Sequence, residues 1–192
     1  DEAGVVVEFT TPAPNCVLAL AGGQVSPTNQ SPILFTATFS QPVWGLTAEE
    51  ISVSLAGNPY NDVTITAGVD GDAVYTISVN NLPSSGEVIV TVPAGAAQNL
   101  YAEDNTASNP QNCVYDIDRP VPTIDLVSDD PTNITPVVYT VTFDKPVFGF
   151  DENALTVTGP FAGAATIDII PVGLGQTEWT IEISGMNADG LI

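Results

Sequence analysis

Leu34-Phe35-Thr36-Ala37-Thr38-Phe39-Ser40-Gln41-Pro42-Val43-Trp44-Gly45-Leu46 occurs in related form a second time in this chain. It returns 104 positions later as Val138-Tyr139-Thr140-Val141-Thr142-Phe143-Asp144-Lys145-Pro146-Val147-Phe148-Gly149-Phe150. In the first version Phe35, Ala37 and Phe39 alternate with hydroxyl residues, and Tyr139, Val141 and Phe143 repeat the pattern. Period-two alternation of aromatic and β-branched residues, closed by Pro and Gly, predicts a half-buried strand. The register continues outward. Ile51-Ser52-Val53-Ser54 falls on Leu155-Thr156-Val157-Thr158, Tyr75-Thr76-Ile77-Ser78-Val79 falls on Trp179-Thr180-Ile181-Glu182-Ile183, and no gap is needed from Pro27 to Val88. A period near 100 residues in strand-type sequence means tandem β domains rather than a short-period solenoid.

Within the first repeat, strands are predicted near 16–20, 33–40, 51–54, 63–68, 74–80, 88–93 and 113–118. Seven short strands at this spacing fit a two-sheet sandwich of immunoglobulin type. The one helical signal is Thr47-Ala48-Glu49-Glu50, enough for a single turn. Val7-Glu8-Phe9-Thr10-Thr11-Pro12 matches Tyr115-Asp116-Ile117-Asp118-Arg119-Pro120 at an offset of 108. The four-residue difference is assigned to Ala21–Ser26 facing the shorter Val127–Asp130. Residues 1–11 are thus read as the last strand of a preceding repeat or as a donor strand, 12–118 as a complete repeat, and 119–192 as a second repeat lacking its last strands. Pro120 and Pro122 stiffen the crossing between repeats.

Charge is the unusual part of the composition. Twenty-three Asp and Glu face one Lys, one Arg and no His, for a net charge of −21. Nucleic-acid phosphates require clustered cations, so that partner class is excluded. No apolar run approaches the ~18 residues of a membrane span, so membrane insertion is not expected. Self-repulsion of this size opposes compaction. Divalent cations, high salt or acidic pH would each relieve it, and calcium is the first choice for a surface protein. The best cluster of oxygen ligands is Glu103, Asp104 and Asn105 with Asp116 and Asp118, near the junction of the repeats; solvated acids are the alternative. Asp70-Gly71-Asp72 reads as a hairpin turn before it reads as an ion site.

The two cysteines, Cys16 and Cys113, bracket the complete repeat on its first and last strands. A disulfide is expected between them, closing nearly the whole domain in an oxidising compartment, with two buried thiols as the alternative.

Ser26–Phe35, Phe39–Leu46, Val92-Pro93-Ala94-Gly95-Ala96-Ala97 and Asn105-Thr106-Ala107-Ser108 together resemble the bacterial Ig-like repeats of large cell-surface and adhesin proteins. The second repeat carries the resemblance through Asp130-Pro131-Thr132-Asn133, Phe143–Phe150 and Ile183-Ser184-Gly185-Met186. The resemblance implies tandem β-sandwiches, secretion and a role in adhesion or surface architecture. It implies no catalytic residues. One segment departs from the pattern: Gln98–Asn105 stands where such repeats carry an Asp-Ala-Ala-Gly-Asn-type loop.

The expectation is therefore a non-enzymatic extracellular module of a bacterial surface protein, an adhesin stalk, sheath or filament component. Its partners would be neighbouring Ig-like repeats in the same or adjacent chains, with a host or matrix surface ligand as a further candidate. A Ser triad needs a His that the chain lacks, and a Ser–Lys dyad would depend on Lys145. Asn29-Gln30-Ser31 and Asn133-Ile134-Thr135 are glycosylation sequons, read here as turns that match by coincidence. Trp44, Phe148, Tyr75 and Trp179 are read as packing residues; exposed on one sheet face, they would instead suit a carbohydrate-binding accessory module. The broken second repeat has two resolutions. It belongs to a longer tandem array, or Val5, Val6, Val7 and Phe9 of one molecule complete the second repeat of the next.

Overall fold

Strands form where β-branched and aromatic residues alternate with hydroxyl or charged ones, because only then does one face of the pleat have something to bury. The computed structural model describes residues 11–159 and 163–186, and the chain divides into two units between Asp118 and Arg119. The described residues are all-β apart from single 3-10 turns at Ala48–Glu50 and Glu152–Ala154.

The first unit contains β1 (Cys16–Leu20), β2 (Ile33–Val43), β3 (Ser52–Leu55), β4 (Asn58–Pro59), β5 (Val63–Ala67), β6 (Asp72–Val79), β7 (Gly86–Thr91) and β8 (Gln111–Tyr115). They build two antiparallel sheets, ordered β1-β2-β6-β5 and β4-β3-β7-β8. Leu18, Phe35, Ala37 and Ile77 from the first sheet share one core with Val53, Val88, Val90 and Cys113 from the second. The unit is a two-layer β-sandwich. The eighth strand was not expected: Ala56 and Gly57 both have positive φ, which turns β3 back on the two-residue β4. Ala is a poor advertisement for such a turn, since Asn or Asp usually takes the first left-handed position.

The second unit contains β9 (Pro122–Leu126), β10 (Val137–Phe143), β11 (Thr166–Pro171) and β12 (Glu178–Ser184) in one antiparallel sheet ordered β11-β12-β10-β9. That is the order of β5-β6-β2-β1. Residue pairs correspond too: Ala37 opposes Tyr75 and Val141 opposes Trp179, while Phe35 opposes Ile77 and Tyr139 opposes Ile181. Even the 3-10 turns occupy equivalent positions, although Asp151 caps the second turn by accepting from Asn153 N (3.0 Å) and Thr47 makes no such bond.

The ladder corrects the register of the first strand. Phe39 opposes Cys16, whereas its counterpart Phe143 opposes Pro122 rather than Ile124. Just before these strands, Asn15 N donates to Ser40 Oγ (3.0 Å) and Ser40 N to Asn15 O (2.8 Å). The same exchange joins Val121 N to Asp144 Oδ1 (2.8 Å) and Asp144 N to Val121 O (3.3 Å). Asn15 therefore corresponds to Val121, an offset of 106, and the turn after the strand differs by two residues rather than four.

Among the described residues β3 has no second version. The counterpart of β3, 155–158, is not a strand. β3 exists by pairing with β4 and β7, and the position equivalent to the start of β7 is residue 190, outside the described residues. Leu155 and Val157 instead rest half-buried against Val141, Ile181 and Ile183. At the end of this sheet Phe143, Phe150 and Trp179 meet edge to face with centroids 5.2–5.4 Å apart. Among the described residues of the first unit there is only the Phe39–Tyr75 pair at 5.8 Å, with Leu46 where Phe150 stands.

Candidate functional site

The acidic residues grouped by sequence are separated by the fold. Asn105 is held against Pro93, at the far end of β7, whereas Ile117 N donates to Ser85 Oγ (2.9 Å) just before that strand begins. A strand rises ~3.3 Å per residue, so Glu103, Asp104 and Asn105 stand more than about 20 Å from Asp116 and Asp118. They cannot share one ion, which corrects the expected five-residue calcium cluster. Among the described residues no three His, Cys, Asp or Glu side chains are grouped as metal ligands.

Asn105 has a different occupation. It is 2 % exposed. Its Oδ1 accepts from Ala97 N (2.7 Å) and its Nδ2 donates to Pro93 O and Thr106 O (2.8 Å each). Every one of these groups is a backbone atom of the 93–106 loop, so the side chain replaces the ladder the loop lacks. Asn99 supports the same loop by accepting from Tyr101 N (2.9 Å) and Glu103 N (3.0 Å). Asp104 Oδ1 accepts from Gln98 Nε2 at 2.8 Å. Asp70 and Asp72 are likewise turn residues, accepting from Gly45 N (2.8 Å) and Val69 N (3.0 Å) at the β5–β6 hairpin.

Cys16 and Cys113 are both buried and both thiols, which corrects the expected disulfide. The reason is stagger. Thr106 N donates to Pro14 O and Asn109 bonds both polar backbone atoms of Leu18, so Cys16 lies level with residues 107–108, beside Val92. Cys113 opposes Val88, and its Sγ lies 3.5 Å from Val25 O. Val92 to Val88 is about four residues, or about 13 Å, against the 4.4–6.8 Å between Cα atoms that a disulfide tolerates. Burial raises the Cys16 pKa to about 11. Burial also raises that of Cys113, partly offset by a hydrogen bond from Ser26.

The aromatic residues divide. Tyr75 (2 % exposed) and Trp179 (3 %) are core, as expected. Trp44 is half-buried because it exchanges backbone hydrogen bonds with Gln98 (2.8 and 3.0 Å) and its ring lies beside Gly71. Phe148, expected to pack in the same way, is 83 % exposed.

The strongest candidate surface is the inner face of the second sheet. Ile124 is 55 % exposed, while its counterpart in the ladder, Leu18, is 2 % exposed. An open apolar groove of about 230 Å³ runs over this face, lined among others by Ile124, Tyr139, Leu155, Val157, Ile181 and Ile183. In the first unit Thr28 (7 % exposed) is flanked in parallel by the last strand: Thr28 N donates to Val114 O (2.9 Å) and Asp116 N to Thr28 O (2.8 Å). Its counterpart Thr132 is exposed, and among the described residues it makes no backbone–backbone bond of this kind. No sequence motif marks this site; the signal is an apolar inner face that repeats from one unit to the other. Val5, Val6, Val7 and Phe9, the expected strand donors, lie outside the described residues. Asn29 and Asn133 of the two sequons are both exposed.

Comparison of the chain with models of known protein families and with curated proteins finds no match.

Proposed function

We propose that this chain is a non-enzymatic structural module of a bacterial cell-surface protein, a stalk, sheath or filament component built from tandem immunoglobulin-like repeats. The observation that carries the reading is the duplicated framework. Two units in one chain repeat strand order, cross-strand pairs and a 3-10 turn at matched positions. Repetition of one β unit serves reach and surface presentation, and it needs no cleft. The placement of the aromatics supports a structural rather than a sugar-binding role. Tyr75 and Trp179 lie inside, and exposed Phe148 and Tyr101 sit in loops instead of lining a sheet face. A net charge of −21 suits a hydrated, ion-rich exterior, where salt screens the repulsion.

Immunogold labelling of intact producing cells, with antibody raised against the first unit, tests this. Label on the outer surface or on appendages is expected. Label confined to the interior of sectioned cells would contradict the reading.

A further inference from the structure

We infer that β11 is the docking edge for β11 of a second copy of this chain, paired antiparallel across a two-fold axis at Ile169. The inference goes beyond the structural-module reading and does not depend on it.

The edge of a sheet is where a strand can be added, and proteins blunt such edges with bulges, prolines and charge. β11 is the outer strand in the order β11-β12-β10-β9, as β5 is in β1-β2-β6-β5. In the first unit β4, β3, β7 and β8 all belong to the opposite sheet and leave the β5 edge free. The edge position of β11 therefore belongs to the framework itself. The two edges are finished differently. In β5, Ile65 opposes Ile77 but Thr76 is opposed by Ala67, so Thr66 bulges out of the ladder. A bulge bends the strand and turns its edge away from a newcomer. β11 runs from Thr166 to Pro171 with no break in register. Where the first unit has Thr66, Gly68 and Asp70, the second has Ile170, Val172 and Leu174, all exposed. Ile170 lies on the same face as Asp168. The counterpart of Asp168, Thr64, is exposed in the two-layer sandwich of the first unit, so this face is not the one a second sheet covers.

The backbone sets the pairing. Val172 N donates to Glu178 O (2.9 Å). Hydrogen-bonded pairs alternate along an antiparallel ladder, so Thr166, Asp168 and Ile170 also turn their amides to β12. Ile167, Ile169 and Pro171 turn theirs to the open edge. Across the two-fold axis Ile169 N donates to the partner's Ile169 O, and Ile167 N to the partner's Pro171 O, each reciprocally where an N–H exists. Pro171 has none, which leaves Ile167 O to water. Charge selects a second copy as the occupant. Asp168 is the only charged residue from Gly163 to Thr177 in a chain of net charge −21, so two such chains can approach here without carboxylates meeting. In this register Asp168 opposes the partner's Ile170. Main-chain bonds along a free edge are the physics of strand addition. The contact is isologous and closes at the dimer. One strand pair buries less than a stable interface does, so the dimer is weak and reversible.

The test uses the full chain. Sedimentation equilibrium in raised salt, up to about 1 mM, should show monomer and dimer in exchange. Ile170→Asp sets a carboxylate against the partner's Asp168 and should weaken dimerisation by about tenfold or more. Ile170→Lys sets an ammonium there and should dimerise at least as well as the parent. The substituted side chain is exposed in the monomer, so both variants should keep the parent's circular dichroism spectrum. Asp168→Cys in one molecule mixed with Ile170→Cys in another should cross-link under mild oxidation, because directly opposed residues of this kind lie within disulfide reach. Thr64→Cys mixed with Thr66→Cys, on the bulged edge, should not. A chain that stays monomeric up to that concentration overturns the inference, as does equal dimerisation of Ile170→Asp and Ile170→Lys. Cross-linking no faster than in the β5 control also overturns it. None of these failures would move the immunogold result.

Discussion

Individual side chains in the first unit replace backbone structure, and Asn105 is the clearest case. It satisfies one amide and two carbonyl groups of the 93–106 loop from a position 2 % exposed. Removing it leaves those groups buried without partners, so Asn105→Ala should cost about 2–4 kcal/mol by urea denaturation. The loss should be equal in calcium and in chelator, because the side chain has no free oxygen to give an ion. A loss seen only with calcium would make Asn105 a ligand after all. The cysteines carry a second prediction. Denatured, unreduced protein should alkylate at two thiols, and the native fold should resist. Both states hold the Cys16 proton below the unfolded pKa of about 9, so stability there is unaffected by it. Between about 9 and about 11 the unfolded chain releases a proton that the native state keeps, and stability falls as pH rises. Burial first, then Asp70 and Asp72, raises Tyr75 in the same sense. A denaturation midpoint that stays flat over this alkaline range would argue that the thiols are not buried as described.

At the scale of elements, alternation and repetition made most of the strands legible. Phe35, Ala37 and Phe39 placed β2, and Tyr75, Ile77 and Val79 placed β6, with ends differing by only a few residues. β4 was hidden because Ala56-Gly57 does not look like a hairpin turn. The register of β1 was misjudged because proline spacing at the linker suggested an offset that backbone hydrogen bonds do not follow. The calcium cluster failed for a related reason: neighbours around a strand in sequence stand at its opposite ends in space. Exposure of Phe148 was illegible for another cause, since the backbone pairing with Gln98 that holds Trp44 is not part of the repeated motif itself. A pair of substitutions tests this contrast. Trp179→Ala, removing one ring of the three-ring cluster, should cost about 3–5 kcal/mol and unfold the second unit. Phe148→Ala should change stability by less than about 0.5 kcal/mol. Comparable losses from both would mean that Phe148 is covered in solution.

At the scale of the whole molecule, charge dominates. Twenty-three acids against one Lys and one Arg disfavour compaction and association. Adding sodium chloride should therefore raise the melting temperature of both units, since screening weakens the repulsion. With the expected five-residue site divided by β7, calcium at matched ionic strength should do no more than sodium. A distinctly larger calcium effect would require a site built from other residues.

One sheet framework is built twice, and among the described residues β3 has a strand partner in the first unit that 155–158 lacks in the second. Hydrogen exchange with mass spectrometry, on dilute monomeric chain, measures this segment by segment. Strands β2 and β6 should be protected, and so should their counterparts β10 and β12. Residues 52–55 should be protected as paired strand β3, while residues 155–158, matched in sequence but without a ladder, should exchange rapidly. Protection of 155–158 equal to that of 52–55 in the monomer would contradict the account, as would rapid exchange throughout 137–143.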